Sequence, residues 1–111
     1  MKPPADLDAD PTTVLVEHYG PEITAERFEV AAERVRRSAE ALAEAGVRVR
    51  FLHSTLVPED EAAFCVFDAE SHAAVREAYA RAGVPYERVL GALEIGVGAT
   101  GIAATRTKEE R

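Results

Sequence analysis

A chain of 111 residues with 13 Lys and Arg against 20 Asp and Glu carries a formal charge of -7, which repels nucleic acid and anionic membranes at long range and argues against both as partners. The length suits one domain, no apolar run approaches the roughly 18 residues of a membrane span, and no basic start leads into an apolar stretch. The single cysteine, Cys65, excludes an internal disulfide and points to a reducing, cytoplasmic home.

Residues 1–11 hold adjacent prolines, acidic side chains and little to bury, and read as a disordered leader ahead of a domain over 12–96. From Thr12 to Tyr19 the chain is rich in β-branched residues and stops at Gly20-Pro21, which predicts the first strand. Thr24 is the N-cap candidate for a helix in which Glu26 suits the positive end of the dipole. Arg27 stands where a capping box needs Glu or Gln. Phe28, Ala31, Val35, Ala39 and Leu42 then recur at spacings of three and four, with Glu29, Glu33, Arg37, Glu40 and Glu44 opposite, and Gly46 ends the helix.

Alternation from Val47 to Ser54 predicts a second strand, with Val47, Val49, Phe51 and His53 on one face and Arg48, Arg50, Leu52 and Ser54 on the other. A charged loop from Pro58 to Glu61 leads to a third strand, in which Ala63, Cys65 and Phe67 alternate with Phe64, Val66 and Asp68. Ser71 caps a second helix with a narrow stripe of Ala74, Val75, Ala78 and Ala82, stopped by Gly83 and Pro85. The fourth strand, Tyr86 to Ile95, sets Val89, Gly91, Leu93 and Ile95 against Arg88, Leu90, Ala92 and Glu94, and 97–111 read as a flexible tail.

The order βαββαβ predicts a ferredoxin-like α+β fold: a four-stranded antiparallel sheet in spatial order 4-1-3-2 with two helices on one face. The purely apolar strand faces belong under the helices. The other face carries Leu15, Tyr19, Leu52, Phe64, Val66 and Leu90, a contiguous apolar surface that predicts a homodimer closing two sheets into an α+β barrel around a cavity.

Four blocks of this chain together resemble a known family. They are Val-Glu-His-Tyr in the first strand, Gly-Val-Arg-Val-Arg-Phe-Leu-His-Ser in the second, Phe-Cys-Val-Phe-Asp-Ala-Glu-Ser in the third, and Ala-Val-Arg-Glu-Ala-Tyr-Ala-Arg-Ala-Gly-Val-Pro in the second helix. The family consists of small bacterial proteins of mostly unassigned function with a ferredoxin-like fold, one of them described as nickel-binding. The resemblance spans Val14 to Val89 and is most distinctive from Cys65 to Pro85. It implies a dimeric barrel, carries Glu17, Ser54, Cys65, Asp68 and Arg76 over as signature positions, and makes nickel the candidate cofactor without mapping its ligands.

Two constellations could carry chemistry. His18 and His53 end parallel strands with Cys65 between them, and two imidazoles with a thiolate suit nickel, zinc or copper. The competing reading packs all three under the helices, where a lone cysteine behaves as a small hydrophobe. On the cavity side stand Glu17 and Asp68, with Tyr19, Arg50 and Ser54 as ligand-binding groups. A carboxylate pair with split pKa values would give the general base and acid of a cofactor-independent isomerase, cyclase or monooxygenase. The competing reading is a polar network in which Arg48 or Arg50 answers Glu17 or Asp68 across strands.

Gly96 to Gly101 matches G-x-G-x-x-G, but with ten residues after it and no return strand a dinucleotide fold is excluded. His72, in the first turn of the second helix, reads as a surface residue. The sequence therefore favours a small dimeric protein that binds a small ligand or a transition metal, with the cofactor-free enzyme as the alternative.

Overall fold

Alternating burial organises β1 (Thr13–Tyr19), where Val14 and Val16 are buried on the helix side. The computed structural model describes residues 12–93 and 95; the expected leader and tail lie outside the described residues. Thr24 adopts an extended backbone and its side chain accepts from the Arg27 N–H, opening α1 (Ala25–Glu44). Phe28, Val35, Ala39 and Leu42 form its buried stripe. On its outer side Glu33 receives Arg36 and Arg37, whose guanidinium groups pull its carboxyl down to about 2. Those groups are solvated, so they order the surface more than they stabilise the fold.

β2 (Val49–Val57) passes through a 3-10 turn (Pro58–Asp60) and a left-handed Glu61 at φ 50° into β3 (Ala62–Ala69). Ser71 caps α2 (His72–Ala82) by accepting from the Ala74 N–H, and Gly83 ends it at φ 70°, a conformation that glycine adopts without steric cost. β4 (Arg88–Ala92) completes the sheet.

The sheet order is β2-β3-β1-β4 with every pairing antiparallel, the ferredoxin-like topology expected from the element order. One core joins the sheet's Val14, Val16, Val49, Cys65 and Phe67 to Val35 and Leu42 of α1 and Val75 and Tyr79 of α2. Each large apolar side chain removed from water there contributes roughly 1.5–3 kcal/mol. The helices are tied at the back: Ser38 Oγ donates to the Ala78 carbonyl at 2.7 Å, and the Arg34 guanidinium donates to the Ala82 carbonyl. Among the described residues no helix is long and apolar enough to cross a membrane.

β2 and β4 both begin two residues later than expected, and their far ends differ more. β2 extends to Val57 because β3 offers it three more partners, Phe64, Ala63 and Ala62, opposite Thr55, Leu56 and Val57. β4 ends at Ala92, opposite Thr13 at the start of β1, where its partner strand runs out. Leu93 and Ile95, expected under the helices, are consequently 61% and 88% exposed.

Candidate functional site

The face of the sheet away from the helices is built in cross-strand rows. Arg50, Asp68, Thr13 and Ala92 form the first row. His53, Val66, Leu15 and Leu90 form the second, and Thr55, Phe64, Glu17 and Arg88 the third. Tyr19 stands beside Ala62 and Val57 at the far end, half exposed, with its ring edge-on to Phe64 at 6.3 Å.

Charge on this face is paired. Arg88 Nε lies 2.9 Å from Glu17 Oε1, and this contact together with a hydrogen bond from Tyr19 holds the Glu17 carboxyl below its ordinary range. Asp68 accepts from Thr12 Oγ1 and from Arg48 Nη1 at 2.9 Å, and Arg50 approaches its second oxygen at 3.9 Å, so it too is pulled down. Since Asp68 faces Thr13 and Glu17 lies four residues further along β1, the two carboxylates are about 13 Å apart along the strand. Both are favoured in the ionised form, and neither is raised by the other.

A bulge at Leu52 reverses the parity of β2. Phe51 pairs with Phe67, but the next rung joins His53 to Val66 and leaves Leu52 unpaired. His53 therefore occupies the bare face, in correction of its expected place beside His18 and Cys65. Ser54, expected on the cavity side, takes the helix-side register opposite Cys65 and is solvent-exposed. Arg76 is exposed on α2.

His18 and Cys65 do share the helix side, and Tyr79 joins them. Tyr79 Oη lies 2.9 Å from His18 Nε2, with the Cys65 thiol and the Pro85 carbonyl close to this pair. Burial pushes the Cys65 thiol up to about 11 and the His18 imidazole down, so both are neutral. Tyr79 was not among the expected site residues, although its place four residues after Val75 on the α2 stripe was the available signal. Arg88 was missed as well. Its parity in β4, opposite Glu17, identifies it.

Among the described residues no three His, Cys, Asp or Glu side chains gather closely enough to hold a metal ion.

A βαββαβ sheet with helices on one side and a bare, internally charge-paired face on the other defines a small ferredoxin-like α+β protein. The family model described as nickel responsive protein SCO4226-like matches residues 15–91, and the chain belongs to that family. The crystal structure of SCO4226 from Streptomyces coelicolor A3(2) matches with a TM-score of 0.58 at 20% identity, covering 76% of this chain and 99% of that one, a likeness of fold. No curated protein matches the chain.

Proposed function

We propose that the chain is a nickel-responsive binding protein of the reducing cytoplasm that works as a homodimer. Its two bare sheet faces pack together, and the metal lies between the copies, held through His53 of each. The observation that carries this reading is the bulge at Leu52, which turns His53 onto the bare face among Leu15, Val66 and Leu90. Nickel accepts imidazole ligands readily, and pairing would bring together ligands that the described residues of one protomer do not gather. His18 is buried and its Nε2 is engaged by Tyr79, so His53 is the better-placed imidazole.

The carboxylates do not favour the enzymatic alternative. A carboxylate pair with split pKa values needs one carboxyl held protonated near neutrality, whereas Arg88 keeps Glu17 ionised and Thr12 with Arg48 keeps Asp68 ionised.

Nickel titration and sedimentation of untagged wild type and His53→Ala test the proposal. Wild type should bind nickel as a dimer and the variant should lose most of that binding. A wild type that sediments as a monomer with and without nickel, or equal nickel binding by both proteins, would overturn it.

A further inference from the structure

A separate cleft opens where the first turn of α1 meets the loop between α2 and β4. Its volume is about 230 Å³, with His18 at the floor and Ile23, Phe28, Ala31, Val84 and Tyr86 among its walls. The His18 ring meets Phe28 edge-on at 5.2 Å and its Nε2 is engaged by Tyr79 Oη, so the floor offers chiefly aromatic surface. A cavity of about 150 Å³ suffices for a benzene ring, and this one has space for a ring and a short polar arm.

The rim is chemically different from the walls. It carries Arg27, Glu22 and Glu87, all exposed, and none of the three enters an ion pair among the described residues. Arg27 also occupies the N3 position of α1, where a glutamate or glutamine would close a capping box and a cation is disfavoured by the helix dipole. Helix stability therefore does not account for it. A ligand with a ring alone would leave the whole rim unanswered. An aryl carboxylate would leave the two glutamates, and an arylamine would leave the guanidinium.

We infer that this cleft binds a small zwitterion with an aromatic ring, of the class of aromatic amino acids, its ring against Phe28, Ile23 and Tyr86, its carboxylate toward Arg27 and its ammonium toward Glu22 and Glu87. The site is distinct from the bare sheet face and does not depend on nickel.

Metal-free, full-length protein is titrated with L-phenylalanine, 2-phenylethylamine and 3-phenylpropionate while amide resonances are followed by NMR. Phenylalanine should give saturable shifts centred on Ile23, Phe28 and Tyr86, and each singly charged analogue should bind about tenfold more weakly, the loss expected for one charge-assisted contact. Arg27→Gln should weaken phenylalanine by the same factor without lowering the melting temperature, since glutamine suits the N3 position. The absence of saturable shifts in a folded sample, or an analogue that binds as tightly as phenylalanine, overturns the inference.

Discussion

Arg88 meets Glu17 face to face across β1 and β4, Nε 2.9 Å from Oε1 and Nη2 3.2 Å from Oε2. The two stand opposite each other in register, and the glutamate side chain keeps only 9% of its surface in water. Covering a carboxylate this far is tolerable because both oxygens are answered by one rigid fork.

That pairing predicts a defined mutational pattern. Arg88→Met leaves the carboxylate covered and without its cation, so the melting temperature should fall and the Glu17 pKa rise, while adding Glu17→Gln should restore part of the loss. The pH sign follows from the direction of the shift. A carboxyl held below the ordinary glutamate value of 4.5 in the folded state contributes stability above that value and loses it as pH falls through the lowered one. Thermal melts of wild type and the double variant from neutral pH downward should diverge most near neutrality and converge in acid. Parallel curves would mean that the pair contributes nothing.

The buried chain through Tyr79 gives the opposite kind of test, because His18 is a base. Tyr79→Phe removes the hydroxyl between two buried groups and should cost about 1–3 kcal/mol in urea unfolding. Burial lowers the His18 pKa from 6.5, so the unfolded chain takes up a proton before the folded one does. Stability should be full above that value and decline below it by up to about 1.4 kcal/mol per pH unit. His18→Gln should flatten this region of the profile, which unfolding series between pH 7.5 and 5 would reveal.

The topology was legible in the sequence because the residues that set it act locally. Thr24 and Ser71 cap, Gly46 and Gly83 punctuate, and the parity of Val14, Val16, Cys65 and Phe67 sorts the two faces of the inner strands. The candidate site was less legible because one extra residue changes everything downstream of it. Parity counted from Val49 places His53 with Phe51, and only the pairing with β3 reveals that Leu52 has dropped out of the ladder. Pairing across distant strands likewise hides Arg88 from Glu17, 71 positions apart, in any local window.

If Leu52 is the bulged residue, deleting it should join Phe51 directly to His53 with every other rung in place. The Leu52 deletion should therefore fold, with stability within about 1 kcal/mol of wild type, since the lost side chain is 39% exposed. Deleting Thr55 instead would turn His53 and Ser54 to the opposite faces before the bulge takes up the gap, and should be more damaging. Amide exchange and melting of the two deletions distinguish these outcomes, and equal damage from both would place the bulge elsewhere.

Cys65 supplies a chemical probe of the same core. Its thiol is 1% exposed and pushed up to about 11 by burial, with Tyr79 as its neighbour. At pH 8 the ionised fraction should then be on the order of 100-fold below that of a solvated cysteine, before any steric protection is counted. Reaction with a disulfide reagent should accordingly be slow in buffer and fast in urea, with the buffer rate tracking transient opening of the core. Tyr79→Phe loosens this neighbourhood and should speed the native reaction. Rapid labelling of the folded wild type would instead put Cys65 in contact with solvent and return it to the set of accessible metal ligands.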